Sequence, residues 1–411
     1  MTPVGSQRES NPPFDREELI ARADRARALM ERDAIDALIV TGDFTAGMNY
    51  YYLSGHMPRD YQLNYSRPHV MVLPRTGEPF LWVYGVNETN ARGQSWVEDV
   101  VAYAPPFVGT DLAAAMSQRG LDKGRLGAEL GVDQRVAMPL LEWQAMAAAM
   151  SGAELVDAAS LLWELRMIKS PAEVDYIREC DRINGTGLAR SFAAMRAGDS
   201  EVDVARKLGS ALVEAGAFRP PYAQALIVSE AKAKALGHPS RMLGPLPDQT
   251  LNPGELLFID SGVTLAGYWG EFNRMACVGE PNADQRHHHD NIREIVRRSI
   301  DEALKPGESF RRVIENMADL YRELGYGDEK IHNYLGPPYM HLCHGLGLAS
   351  SEPPFVRLDS DDVLLPGMVV SCEAYLPVDG MTYGSEEDVL ITEDGAEVLS
   401  DPDSGLYVIA Q

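Results

Sequence analysis

Long apolar runs are missing from this 411-residue chain: no stretch approaches the roughly 18 residues that a helix needs to cross a bilayer, so no membrane span is expected. Cysteine is scarce. The four, Cys180, Cys277, Cys343 and Cys372, stand far apart with no CxxC spacing, a usage that fits reduced thiols in the cytoplasm better than a disulfide framework. Positive charge is outnumbered, 37 Lys and Arg against 61 Asp and Glu, for a formal net charge of −24. Such a surface repels phosphate backbones and anionic lipid, which argues against nucleic acid and membrane as partners. The opening residues, MTPVGSQRESNPPFDREE, have no apolar stretch of the kind a secretory signal carries, and residues 1 to about 13 read as a frayed tail. Internal repeats and low-complexity tracts are lacking as well. What is present is 45% hydrophobic and 24% charged, the composition of a globular protein long enough for two domains.

The first part alternates helix and strand. Residues 16–32 are rich in good helix formers; Ala37-Leu-Ile-Val-Thr41, His69-Val-Met-Val-Leu73 and Phe80-Leu-Trp-Val-Tyr84 read as buried strands; and helical stretches fall near 110–119 and 137–150. Near 165 the character changes. Ser170-Pro171-Ala172-Glu173 is a capping box with proline at the first helical position, which predicts a helix over 171–196. Further helices are expected at 200–215 and 308–324, the last with one apolar face and a stop at Gly325. Strand pairs with turn signals lie between and after them. The pattern predicts an α/β domain followed, from a boundary near 165–170, by an α+β domain with antiparallel hairpins.

Two of those hairpins carry acids where strands ordinarily carry apolar residues. Leu256-Leu-Phe-Ile-Asp260 ends in a carboxylate, and an unpaired buried carboxylate costs several kcal/mol. If the chain turns about Leu265 and Ala266, Asp260 faces Glu271. In the second hairpin the Asp379-Gly380 turn, a strong hairpin signal, sets Glu373 opposite Glu386. Four converging carboxylates cannot all stay ionised in a dry site without a cation, and one divalent metal, or two, is the natural counterion. His344, in His341-Leu-Cys-His344-Gly345-Leu-Gly347, adds an imidazole, making a mainly oxygen site suited to Mn²⁺, Co²⁺, Fe²⁺ or Zn²⁺. His238, ahead of the first hairpin, is a candidate donor to substrate. The run His287-His288-His289 reads as solvated surface preceding a helix.

The order His238, Asp260, Glu271, His344-Gly-Leu-Gly, Glu-Pro-Pro at 352–354, Pro366-Gly-Met-Val-Val, Glu373 and Glu386 resembles the pita-bread (M24) metallopeptidase superfamily, which includes methionine aminopeptidases, Xaa-Pro aminopeptidases, prolidases and creatinases. Arg166-Met-Ile-Lys-Ser-Pro-Ala-Glu173 is similar to the linker of its two-domain members. The resemblance implies a creatinase-type α/β N-terminal domain, residues 1–165, and an α+β pita-bread catalytic domain, residues 166–411. It implies Asp260, Glu271, His344, Glu373 and Glu386 as metal ligands, Glu373 as the proton shuttle, and His238 as the substrate-side histidine. Arg67 and Arg357 resemble two arginines that clamp the substrate carboxylate in creatinases, Arg67 reaching a neighbouring subunit and so implying a homodimer. Three positions depart from the pattern: Glu271 where aspartate is usual, Ser351 where peptidases carry a second histidine, and Gly384 where an arginine is usual. The leading expectation is a cytoplasmic metal-dependent hydrolase of small amino-acid-like or Xaa-Pro dipeptide substrates bearing a carboxylate. The alternatives are a metal-independent creatinase-like amidinohydrolase, a superfamily lyase acting on a small betaine-like acid, and a non-enzymatic binding scaffold.

Overall fold

The computed structural model describes residues 13–43, 47–58, 66–217, 222–228, 249–328, 330–331, 341–378, 381–400 and 405–411, with the backbone alone at 222–228, 341 and 342. His238, the N-terminal tail to residue 12, and the Asp379-Gly380 turn lie outside the described residues. The chain divides into two compact units, Met1–Arg166 and Met167–Gln411. Among the described residues no helix is long and apolar enough to cross a membrane.

The first unit begins with α1 (Arg16–Arg32), whose N-terminus is closed by Asp15 accepting the Glu18 N–H at 2.8 Å. There follow β1 (Ala37–Gly42), α2 (Met48–Ser54), β2 (His69–Pro74), β3 (Phe80–Tyr84), α3 (Glu88–Gln94), β4 (Asp99–Tyr103), α4 (Gly109–Gln118), β5 (Lys123–Ala128), α5 (Leu140–Ala149), β6 (Gly152–Asp157) and α6 (Ala159–Met167). The strands form one mixed sheet in the order β4-β3-β2-β1-β5-β6. Its central strands β1 and β2 are buried along their whole length, which is why they appear in the sequence as unbroken apolar runs instead of alternating ones. Ile39, Val72, Phe80, Leu112, Met116, Leu126 and Met146 fill one core between sheet and helices.

The second unit opens with α7 (Pro171–Ala194), where both halves of the expected Ser170–Glu173 capping box form, and α8 (Glu201–Ala215), capped likewise by Ser200 and Asp203. β7 (Tyr222–Val228), β8 (Leu256–Leu265) and β9 (Tyr268–Val278) follow, then α9 (Ala283–Ala303) and α10 (Phe310–Glu323). β10 (His341–Gly345), β11 (Glu352–Arg357), β12 (Val369–Val378), β13 (Met381–Ile391), β14 (Ala396–Val398) and β15 (Tyr407–Ile409) complete the unit. They make two sheets, β15-β9-β8-β7 and β11-β10-β12-β13-β14. α7 packs on β8 and β9, pinned where Asn184 Nδ2 donates to the Ser261 carbonyl and the Ser261 hydroxyl donates to Asn184 Oδ1. α9 and α10 cover the outer face of the second sheet over Cys343, Val370, Cys372 and Leu376. All four cysteines are buried free thiols.

Two expectations need correction. The β8–β9 turn falls on Ala266 and Gly267, both at positive φ (50° and 82°), so Asp260 pairs with Asn273, and Glu271 with Gly262. A two-residue turn of this hand needs positive φ at both central residues, and only Gly267 announced it. The shift is two residues, which leaves both acids on the same face. The histidine run does not precede a helix but lies inside α9, where His289 joins the buried stripe of Gln285, Ile292 and Val296. Only 3% of His289 is exposed, and burial, with the charges of Arg293 and Arg274, pulls its imidazole down to about 3. His288 is half-buried against the Tyr326 hydroxyl at 2.9 Å.

Candidate metal centre

One face of the β8–β9 hairpin changes character along its length. Leu256, Phe258, Met275 and Cys277 join the hydrophobic core, whereas the next residues on that face are Asp260, Asn273, Glu271 and Gly262. Gly262 matters because it stands opposite Glu271: a Cβ there would lie 2.8 Å from the Glu271 Cβ and 3.1 Å from the Trp269 ring. Its missing side chain gives room to the longer acid. On the second sheet, β12 and β13 pair Glu373 with Glu386, the register the Asp-Gly turn predicts, flanked on the same face by Ser371 opposite Asp388 and by Tyr375 opposite Gly384. β10 sets His344 opposite Ser371.

Side-chain bonds tie the two hairpins together. The Asn273 N–H and Nδ2 donate to Glu386 Oε2 at 3.0 and 2.8 Å, and Ser371 donates to Glu386 Oε1 at 2.7 Å. The Glu271 N–H donates to Asp388 Oδ2 at 3.0 Å. Behind them Arg274 donates to the Glu386 carbonyl at 2.8 Å and to Glu387 Oε2 at 2.9 Å. Glu271, His344 and Glu386 thereby bring ligand atoms within 4.8 Å of one another, with His344 Nε2 3.7 Å from Glu271 Oε1. His344 Nδ1 lies 3.2 Å from the Gly345 carbonyl, which only accepts, so Nδ1 carries the proton and Nε2 presents its lone pair to the acids. The loop after His344 is anchored by Glu352, which accepts from Lys169 and from the Ala349 N–H, each at 3.2 Å.

The electrostatics are those of like charges crowded into a dry site. Burial and then the charge of Glu386 push Asp260, Glu271 and Glu373 well above the usual carboxylate range. Asp260 Oδ1 is buried and accepts no hydrogen bond from the described residues. Burial holds the His344 imidazole below its ordinary value. Oxygen donors in this number with one imidazole fit a divalent cation. Deeper still, Asp181 on α7 is wholly buried with its carboxyl against that of Asp388, and burial and Asp388 push it up; burial raises Asp388 itself to about 8.

The structure thus gathers Asp260, Glu271, His344, Glu373 and Glu386 on facing surfaces of one unit. It places Arg357 on β11, forked onto Asp359 at 2.8 and 2.7 Å and substantially exposed. Arg67, in the first unit, donates to the Ser66 carbonyl at 2.9 Å and lies 5.5 Å from the Tyr84 ring centre. Sequence reasoning missed Asn273, Asp388, Asp181 and Tyr375, whose hydroxyl donates to Glu373 Oε2 at 2.7 Å. Tyr375 and Asp388 each stand two residues beyond a ligand candidate, so strand alternation alone would have found them. Nothing in the helical sequence around Asp181 marks it.

Residues 175–393 match the metallopeptidase family M24, and residues 22–168 match the creatinase/prolidase N-terminal domain. The chain belongs to metallopeptidase family M24, as an enzyme of the Xaa-Pro dipeptidase-like kind, with a creatinase-type N-terminal domain before the pita-bread domain. It is 26% identical over 372 residues to the Xaa-Pro dipeptidase of Lactobacillus helveticus, covering 87% of this chain and 94% of that one. With the Xaa-Pro dipeptidase of Pyrococcus furiosus it shares 30% identity over 239 residues, 58% of this chain and 64% of the other. Among solved structures, dipeptidase PepE from Mycobacterium ulcerans superposes with a TM-score of 0.76 at 22% identity, over 97% of this chain and all of that one.

Proposed function

We propose that the protein is a metal-dependent dipeptidase that cleaves the C–N bond of small carboxylate-bearing substrates, Xaa-Pro dipeptides foremost. The observation that carries this reading is the buried cluster of Glu271, His344 and Glu386, whose ligand atoms lie within 4.8 Å of one another, with Asp260 and Glu373 close enough for their charges to act on Glu271. The substrate class follows the relatives that bear the Xaa-Pro dipeptidase name. Those five side chains would hold one or two divalent ions, from among Mn, Co, Fe and Zn. The bound metal supplies a Lewis acid that makes water nucleophilic near neutral pH.

The chain's own residues do the rest. Glu373 accepts the proton of the attacking water on a carboxylate oxygen and returns it to the departing nitrogen. Asn273 and Ser371 fix the Glu386 carboxylate, and Gly345 fixes the His344 ring, so neither ligand has to be ordered during turnover. His238 is assigned to the leaving-group side, and Arg67 and Arg357 to the substrate carboxylate; for Arg357 this means exchanging Asp359 for the substrate. The reading includes a cytoplasmic homodimer in which Arg67 serves the neighbouring subunit.

The test is to strip the protein with chelator, restore Mn²⁺, Co²⁺, Fe²⁺ or Zn²⁺ singly, and assay Xaa-Pro dipeptides beside creatine and betaine-like acids. Metal-restored release of proline is expected. Full turnover by the stripped protein ends the reading, and products of elimination would move the enzyme to lyase chemistry.

A further inference from the structure

The residue opposite Tyr375 on β13 is Gly384. A Cβ at 384 would lie 2.4 Å from Phe258 Cε2 and 3.1 Å from Tyr375 Cε1, so the missing side chain is what lets both rings sit against the β13 backbone. The rings brace each other, with centroids 5.9 Å apart and planes at 48°. Phe258 comes from the same face of β8 as Asp260 and is 4% exposed. From this seat the Tyr375 hydroxyl reaches Glu373 Oε2 at 2.7 Å. A hydroxyl donating to a carboxylate makes a charge-assisted bond, stronger and more directional than a neutral one.

We propose that Tyr375, seated by Gly384 and Phe258, is a positioning residue that reserves one oxygen of Glu373 and leaves only the other for the metal centre. The proposal rests on the reading of Glu373 as proton carrier and ligand. A carboxylate with both oxygens free can swing or chelate through both; one tethered by a phenol keeps a single oxygen in a fixed direction. Tyr375 acts through Glu373, so its effect falls on turnover and on the shape of the coordination sphere.

The experiment compares wild type, Tyr375→Phe and Gly384→Ala, each shown by circular dichroism and thermal melting to be folded. Tyr375→Phe is expected to lower kcat by about 10- to 100-fold, the scale of a misplaced catalytic group, with KM within about twofold. In Co²⁺-loaded protein the freed carboxylate raises the coordination number, and the visible bands, intense at low coordination, weaken. Gly384→Ala displaces the ring and moves both readouts in the same direction. A folded Tyr375→Phe protein with wild-type kcat and wild-type Co²⁺ bands overturns the proposal while leaving the dipeptidase reading intact. A rise in KM alone also overturns it, because it puts the phenol on the substrate. Wild-type protein that takes up no Co²⁺ removes both.

Discussion

Glu129 in the first unit and the acid cluster of the second are buried in opposite ways. In the first, Glu129 is 4% exposed, yet its Oε2 accepts from the Thr41 N–H and hydroxyl at 2.8 and 2.9 Å, and its Oε1 from Asn49 at 2.9 Å. Asn49 in turn accepts from Arg166 at 3.0 Å. Burial raises Glu129, these donors pull it back, and it rests at about 6. In the second unit Asp260, Glu271 and Glu373 face other acids, and no comparable set of donors offsets their burial. Burial alone does not mark a site; acids whose nearest charged neighbours are acids do. Glu129 is a strut between strand and helix, and the other cluster has the make-up of a cation site.

The sharpest way to break the contrast is to make the same substitution in both places. Glu373→Gln is expected to cut kcat by about 10²–10⁴-fold, the usual weight of a general acid–base group, with the fold intact. Glu129→Gln turns an amide toward Thr41 donors and is expected to cost about 1–3 kcal/mol of stability, while kcat/KM stays within twofold. Assays on both purified variants decide it: a folded Glu129→Gln enzyme without activity would erase the distinction.

A smaller effect separates the two units by pH. An acid raised in the folded state lets the native protein bind more protons than the unfolded chain, so its contribution to stability is intact below the ordinary carboxylate range and lost as pH rises. For Glu129 the loss runs from about 4.5 to about 6 and amounts to about 2 kcal/mol. For Asp260, Glu271 and Glu373 it continues above that window until a cation neutralises the cluster. The rise in Tm on adding Mn²⁺ is therefore expected to grow from pH 5 to pH 8. A metal-induced rise that does not change with pH would remove the acid cluster as the binding site.

Much of this was legible in the chain itself, for local reasons. Ser170 and Glu173 close a capping box using only neighbours, so the start of α7 was readable. The Asp379-Gly380 dipeptide predicts the β12–β13 register that pairs Glu373 with Glu386. The β8–β9 register was misjudged by two residues because Ala266 adopts a conformation that alanine rarely announces. Asp181 was invisible, since its partner Asp388 lies far along the chain and only tertiary packing brings them together. The histidine run was misjudged because a polar triplet conceals that one member, His289, falls on the helix stripe that packs inward.

His289 and His344 offer the finest comparison, two buried imidazoles held neutral in one unit. His344 has a hydrogen-bonded Nδ1 and acids before Nε2, whereas His289 Nδ1 is buried with no hydrogen bond among the described residues, and the charges it feels are those of Arg293 and Arg274. Protonation is therefore favoured by the surroundings of one and opposed by those of the other. A base lowered to about 3 contributes stability that is present above its ordinary value of 6.5 and lost as pH falls toward the folded value. His289→Leu is expected to shift stability at pH 7.5 by less than about 1 kcal/mol and to leave metal uptake unchanged. At pH 5.5 the variant escapes a penalty of about 1 kcal/mol that wild type carries, so the two urea unfolding midpoints should draw in the variant's favour as pH falls. Midpoints that keep a constant separation from pH 7.5 to 5.5 would mean that His289 picks up a proton in the folded protein as readily as in the unfolded chain, and that burial at α9 does not hold it neutral.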